Sequence, residues 1–385
     1  MSKNKIAVLQ CHSYDERLVE SRINALLSAA GFDSLDITAG STVLIKANLG
    51  MANTPDKAAT THPAVVRAIV REVKRRGGNP IVGDDPIVTR LAQETMEITG
   101  MVKIAKEEDV KLSVFAKDGG FVKVKVSKYK NFEYVYYAKN VLDADIVISV
   151  PKLKTHLLTM LSCSVKNMMG CVERTERKRM HEFQSNYDFS KALVEVFKIR
   201  PPDFTVVDGV TSMVGLGPSH GIPADTAILM ASKDGLGIDV AAAKILGYDP
   251  TSVETIKLSL DNRLWDENMY DYPLSCLDAI ENAKWPLVPK ISDEVRKRFK
   301  KFLLMSLEID EAKCIGCGDC IQHCPVQAMA GIPPRIDLAK CISCFCCFEL
   351  CSQGAVVFKI PSILGKHDLI TKEQVIEKLS KGEGL

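Results

Sequence analysis

"ADIVISVPKLKTH" (Ala144–His156) runs five strand-forming residues, Ile146 to Val150, into a proline and then into Lys152, Lys154 and His156. An unbroken Ile/Val run suits a strand buried on both faces of a sheet. The same signature recurs on both sides. It appears in "KIAVLQ" (5–10), "STVLIKANLG" (41–50), "NPIVGDD" (79–85), "DFTVVDG" (203–209) and "TAILMAS" (226–232). Helical patterns lie between these runs. Residues 16–30 are one. "THPAVVRAIVREVKRRGG" (61–78) is another, with Pro63 in the first turn and two glycines after the last. "DGLGIDVAAAKILG" (234–247) is a third. Strands alternating with helices predict an α/β fold with a mostly parallel sheet.

The continuation "VPKLKTHLLTMLSCSVKNMMGC" (150–171) reads as a strand end followed by an apolar, Met-rich helix that Thr155 and His156 open. Lys152 and Lys154 are two apart, so an extended backbone points them the same way. Lys166 and Asn167 fall about three turns further on. Cys163 and Cys171 on the same helix read as small core residues. "KLSVFAKDGGFVKVKVSKYKNFEYVYYAK" (111–139) alternates apolar residues with lysine around Asp118-Gly119-Gly120, the pattern of an antiparallel hairpin insertion. "SDEVRKRFKKFLL" (292–304) reads as a basic amphipathic connector helix. The expected organisation is an α/β domain over 1–304, a small α+β ferredoxin-like domain over 305–360, and a helical tail over 361–385.

A chain of 385 residues suits two or three domains. Its net charge of +2 argues against a general nucleic-acid binder. No run approaches the length of a membrane span. The start "MSKNKIAVLQCHSYDE" has no long apolar segment or cleavage-type site, so the expected location is cytoplasmic. In a reducing compartment the thirteen cysteines are not a disulfide framework.

Nine of those cysteines lie between Cys314 and Cys351. "CIGCGDCIQHCP" has the C-x2-C-x2-C-x3-C-P spacing with Cys314, Cys317, Cys320, Cys324 and Pro325. "CISCFCCFELC" repeats the spacing with Cys341, Cys344, Cys347 and Cys351. In bacterial-type ferredoxins each run supplies three ligands to one 4Fe–4S cluster and its fourth cysteine to the other. Cys314, Cys317, Cys320 and Cys351 are therefore expected at one cluster, and Cys341, Cys344, Cys347 and Cys324 at a second. Structural zinc also uses C-x2-C, but two full copies in so short a segment favour iron–sulfur clusters. Ser352 replaces the second proline, and Cys346 is a spare thiol beside a ligand.

Other polar groups gather at predicted strand ends, where open α/β sheets bind ligands. Lys46 and Asn48 end one strand, Asp84 and Asp85 another, and Asp208 a third. Thr60, Thr61 and His62 stand at a helix start that favours an anion, with Thr61 as the expected cap. "GLGPSHG" (215–221) offers Gly217 and Ser219 in a glycine-rich loop where backbone amides can approach an anion. "ERTERKRMHEF" (173–183) is a charge cluster that reads as a solvated loop, with a lid over an anionic ligand as the alternative. A buried lysine is expensive without a partner, so Lys152, Lys154 and Lys166 mark the leading candidate site. No G-x-x-x-x-G-K-[ST] loop occurs.

"LIKANLG", "TTHPAVVRAIV", "VPKLKTH", "VKNMMG" and "GLGPSHG", followed by the paired cysteine runs, resemble the domain-of-unknown-function family 362 over about residues 5–360. Ala47 stands where that family typically has proline. The resemblance implies an α/β domain fused to a ferredoxin domain, described as an iron–sulfur protein, and brings no reaction with it. The positions it matches are Lys46, Asn48, His62, Lys152, Lys154, His156, Lys166 and Asn167. The expected function is an iron–sulfur redox protein that passes single electrons between a low-potential carrier protein and an anionic substrate or further cofactor in the α/β domain. Lys154, His156 and Lys166 are the expected catalytic set. Lys46, Asn48, His62, Lys152, Asn167, Gly217 and Ser219 are the expected anion-binding set. A non-enzymatic carrier, an assembly factor or a redox sensor stays open as an alternative.

Overall fold

The computed structural model describes residues 4–88, 91–130, 132–183, 185–262, 270–271 and 307–358. In chain order the main sheet takes β1 (Asn4–Gln10), β2 (Thr42–Ala47), β3 (Asn79–Asp84) and β4 (Lys111–Val114). A separate hairpin takes β5 (Phe121–Tyr129) and β6 (Phe132–Ala138). The sheet resumes with β7 (Ile146–Val150), β8 (Lys152–His156), β9 (Met160–Ser162), β10 (Phe204–Val214), β11 (Ile222–Ala224), β12 (Ile228–Ser232) and β13 (Tyr270–Asp271). Its order is β13-β1-β12-β10-β7-β2-β3-β4. The strands from β10 to β4 are mutually parallel, as the apolar runs predict. Within that path β12 is reversed against both neighbours.

Alternation along each strand feeds two cores. Val43, Ile45, Ile148 and Val206 face a core with α1 (Glu16–Ala29), α2 (Pro63–Arg75), α3 (Ala92–Ile98) and α4 (Met101–Glu107). Leu44, Val147 and Val207 face the opposite core. That second layer follows α5 (Lys139–Asp143) and takes α6 (Ser164–Asn167), α7 (Arg174–His181), α8 (Asn186–Ile199), α9 (Gly235–Leu246) and α10 (Glu254–Asp261). The result is a three-layer α/β domain.

Three local expectations are corrected. The helix expected from Thr155 is a β-hairpin of β8 and β9. The eleven-residue β10 continues past the end of β7 and pairs with β8 instead. That pairing and the turn at Met160, whose φ is 62°, override the helix-like composition. Only α6 and a short 3-10 turn, Met168–Cys171, remain helical. The insertion hairpin turns at Lys130, where φ is 51°, rather than at Gly119-Gly120. Asp118 instead closes the loop after β4 by accepting the Val114 N–H at 2.7 Å. His62, not Thr61, caps α2: its Nδ1 accepts the Ala64 N–H at 3.1 Å. The Thr61 hydroxyl accepts from the Asn48 N–H and donates to the Val150 carbonyl.

In the C-terminal unit β14 (Leu307–Ile309) pairs with β17 (Val356–Phe358), and β15 (Met329–Ala330) with β16 (Arg335–Ile336). Short helices α11 (Asp319–Gln322) and α12 (Cys346–Leu350) follow the cysteine loops. Phe345, Phe348 and Val356 join the core of the α/β domain. The expected connector helix and tail lie outside the described residues.

Candidate functional site

Parallel strands end on one edge of a sheet, so their terminal polar residues meet there. Lys46, Asn48, Asp84, Asp85 and Lys154 line a cleft of about 980 Å³, part of it open to solvent. Lys166, Asn167 and Gly170 form its floor-side segment. Arg174, Arg177, Lys178 and His181 of α7 form another wall. The C-terminal unit closes it with His323, Cys346, Glu349 and Leu350.

Most charges here are already matched. Lys46 pairs with Asp84 at 2.8 Å, with both side chains buried, and also donates to Asn167 Oδ1 at 3.1 Å. Asp84 accepts the Leu49 and Asp85 N–H groups. A Cβ on Gly170 would lie 2.6 Å from Asp84 Oδ1 and 2.7 Å from Lys46 Nζ, so this pair needs a glycine beside it. Arg177 pairs with Asp85 and donates to its carbonyl at 2.9 Å. Asn167 donates to Ser149 Oγ at 2.9 Å and accepts from Asn48 Nδ2 at 3.2 Å.

Lys154 and Lys166 are different. Among the described residues Lys154 Nζ donates to two neutral oxygens, Asn48 Oδ1 at 2.9 Å and the Ala59 carbonyl at 2.7 Å. Burial, then Lys166 and Lys152, push its pKa down to about 7. Lys166 Nζ sits 3.7 Å from Met169 Sδ and 5.5 Å from the Phe189 ring centre, and burial lowers its pKa. Neither forms an ion pair with a carboxylate among the described residues. Glu349 acts on both through space, and burial pushes its own carboxyl up to about 7. His156 is fully buried behind this group. Its Nδ1 accepts the Leu158 N–H, which leaves the proton on Nε2, 3.8 Å from Glu349 Oε1. Neither Nε2 nor Oε1 has a hydrogen-bond partner among the described residues.

Several expected site residues lie elsewhere. Lys152 and Lys154 take different hydrogen-bond partners, although Lys152 still bears electrostatically on Lys154; the pairing of β8 with β10 is irregular between Asp208 and Met213. Lys152 Nζ bonds Asp208 Oδ2 at 2.9 Å and Tyr14 Oη at 2.7 Å. Tyr14 donates to Asp208 Oδ1 at 2.8 Å and stacks on His62 with ring centres 3.6 Å apart. The His62 N–H also bonds Asp208, and burial pushes its ring pKa down to about 4. This second cluster is closed upon itself and lines no part of the cleft. Gly217 is not a lining residue either. Its Cβ position is 2.0 Å from the Thr155 carbonyl, so glycine lets the loop press on β8, while Pro218 and Ser219 reach the cleft. The segment 173–183 is not a solvated loop: α7 packs its Arg177 and Met180 inward. Sequence reading missed Arg174, Arg177, Lys178, His181, Gly170 and Glu349. The i, i+3/i+4 spacing of Arg174, Arg177, Lys178 and His181 was the available signal.

The cysteines of the two runs lie close together in the C-terminal unit. Cys314, Cys317, Cys320 and Cys351 line one small cavity. Burial, then Cys317 and Cys351, push the Cys320 thiol up to about 11. Cys324 packs with Cys320, Cys341 and Cys347 in one apolar cluster, and burial, then Cys344, Cys341, Cys320 and Cys324, push the Cys347 thiol upward. The fourth cysteine of each run accepts an amide four residues on: Ala328 N–H to Cys324 at 3.2 Å, and Ala355 N–H to Cys351 at 3.1 Å. On α12, Cys346 and Leu350 share one face with Val88 and Cys344, while Cys347 and Cys351 fall on the other.

A family model described as a domain of unknown function (DUF362) matches residues 43–244, and one described as a 4Fe-4S dicluster domain matches 306–352. The chain is 30% identical over 254 residues to the thylakoid-associated protein sll1697 of Synechocystis, covering 65% of this chain and 77% of that protein. Among solved structures, the lactate racemase apoprotein of Thermoanaerobacterium thermosaccharolyticum aligns with a TM-score of 0.42 at 12% identity. That alignment covers 64% of this chain and 57% of the other. Among the described residues no helix is long and apolar enough to cross a membrane.

Proposed function

For this chain, which belongs to the DUF362 family and carries a 4Fe-4S dicluster domain, we propose a redox role. A small anion binds in the cleft and exchanges single electrons with the C-terminal unit. One observation carries the reading: the cleft that holds the unpaired Lys154 and Lys166 is walled by Cys346, Glu349 and Leu350 of the second cysteine run. Two 4Fe–4S clusters, held by Cys314, Cys317, Cys320 and Cys351 and by Cys341, Cys344, Cys347 and Cys324, supply one-electron transfer. The residues supply orientation and charge. Lys154 and Lys166 hold the anion, with Asn48 fixing the Lys154 ammonium. Lys46 and Asn167 form the rigid base of the site. Lys154, with a pKa near neutrality, gives or takes a proton at the bound group. His156 is a positioning residue behind Glu349. An external low-potential carrier protein feeds the clusters in the cytoplasm, and the chemistry is that of an oxidoreductase. The shared wall favours this reading over a free-standing carrier, whose clusters need no anion cleft.

The test uses full-length protein purified without oxygen. About eight iron atoms per chain are expected, four for each cluster. Cys320→Ala and Cys344→Ala should each lose about half of that iron. Lys154→Met should abolish binding of radiolabelled sulfate, a dianion of fixed charge, and leave the iron content unchanged. Zinc in place of iron, or sulfate binding indifferent to Lys154, defeats the proposal.

A further inference from the structure

We propose that Lys154 and Lys166 couple the cleft to the redox state of the neighbouring cluster, so that an anion binds the oxidised protein and is released from the reduced one. This rests on the proposed anion site and adds its regulation.

The argument starts from charge. Lys46 and Arg177 are neutralised by Asp84 and Asp85 inside the cleft wall. Among the described residues Lys154 and Lys166 form no ion pair with a carboxylate; nor do Arg174 and Lys178 on the α7 wall, where Lys178 donates to the Gln322 carbonyl, so the field of Lys154 and Lys166 is left to act on other groups. Two kinds of charge compete for that field. One is an anion in the cleft. The other is the second cysteine run, because its Cys346 and Glu349 line the same cleft as Lys154 and Lys166. Cys346 lies between the ligands Cys344 and Cys347 and itself lines the cleft. The site is largely buried, so these interactions are weakly screened.

Reduction takes one electron from an external one-electron donor, forms and breaks no bond, and adds one negative charge on the ligand side of α12. That charge attracts the Lys166 and Lys154 ammoniums and repels an anion beside them. By linkage the effect is reciprocal. If reduction weakens anion binding by some factor, saturating anion lowers the reduction potential by the same factor in free energy. The first cysteine run meets the α7 wall, where Lys178 Nζ donates to the Gln322 carbonyl at 3.0 Å, but among the described residues no lysine or arginine lines the small cavity of Cys314, Cys317, Cys320 and Cys351. Cys317 is exposed, and the nearest sequence cation, Lys313, pairs with Asp310 at the surface.

The experiment measures two independent quantities on the holoprotein. Equilibrium dialysis gives sulfate affinity for the oxidised protein and for protein reduced at an electrode through a viologen mediator. Potentiometry with spin-resonance detection gives the cluster potentials with and without sulfate. We expect sulfate to bind the oxidised form at least tenfold more tightly. One potential should then fall by about 59 mV in saturating sulfate, the one-electron equivalent of tenfold, and the other should move less. Lys166→Gln should lower the same potential without sulfate and remove the sulfate response. Lys154→Gln provides the second variant if the first loads clusters poorly. Lys313→Gln should leave the sulfate response intact. Equal affinity of both states for sulfate, lost in Lys166→Gln, overturns the coupling and leaves the anion site standing. No binding in either state, with potentials unmoved by Lys166→Gln, overturns the anion site and the coupling together.

Discussion

Lys152 and Lys154 stand two residues apart on one strand, yet they end in opposite situations. Lys152 is enclosed by Asp208 and Tyr14, with both members of the ion pair fully buried. Lys154 meets an amide and a carbonyl oxygen, and no carboxylate among the described residues. A buried charge with a buried counter-charge is part of the scaffold, because removing either strands the other. A buried cation without one leaves room for an anion from outside. The same division separates Lys46 and Arg177, which are matched, from Lys166, which is not.

Breaking the matched side should have the largest effect. Lys152→Met removes the counter-charge of Asp208 at a fully buried position and should destabilise the protein by about 3–5 kcal/mol in denaturant titrations. Lys154→Met should leave stability equal or higher, since a costly buried ammonium is removed. Equal losses for both variants would erase the distinction.

Gly170→Ala tests how tightly the matched base is built. The added methyl must displace Asp84 or Lys46, which approach to 2.6 and 2.7 Å. Overpacking of this kind costs roughly 1–3 kcal/mol, and sulfate affinity should fall as Lys46 and Asn167 shift. An alanine variant with parental stability and affinity would show that the base is soft.

The fold was largely legible because its strands are unbroken Val/Ile runs, a pattern set locally. The site was legible as residue types at strand ends: Lys46, Asn48, Lys154, Lys166 and Asn167 do converge. Their pairing was not. Which lysine meets which carboxylate depends on β8 choosing the overhang of β10, a contact across more than fifty residues that no local pattern encodes. Glu349 was hidden for the same reason. Its role follows from how α12 sits on the α/β domain, not from the cysteine spacing around it.

Acidity gives a finer test of the unmatched side. With its pKa pushed down to about 7, Lys154 in the folded protein loses a proton that the unfolded chain keeps until about 10.5. Its contribution to stability therefore rises with pH across that window. Anion affinity moves the other way, because sulfate needs the charged form. Affinity should fall by up to tenfold per pH unit above about pH 7. Lys166 and Lys152 act against the charged form, Glu349 and Asp84 act for it, and Glu349 itself gains negative charge in the same range. Lys154→Arg stays charged, so its affinity should decline more shallowly, and the remaining slope reports the carboxyl. An unchanged slope in Lys154→Arg would take Lys154 out of the titration.

The smallest expected effect belongs to Cys346, the extra thiol in the second run. Its neighbour Cys347 packs with Cys341 and Cys324, whereas Cys346 packs with Val88, Leu350 and the expected ligand Cys344, whose thiol shares a hydrogen bond with it. Helical geometry separates them: residues four apart share a face, so Cys347 goes with Cys351 and Cys346 with Leu350. Cys346→Ser keeps the size of the side chain and buries a hydroxyl in place of a weakly polar thiol, at a cost of about 1 kcal/mol. Iron content and cluster spectra should stay nearly those of the parent. Loss of about half the iron would mean that Cys346 is a ligand, that α12 is rotated by one residue, and that the face turned toward Lys166 is not the one described.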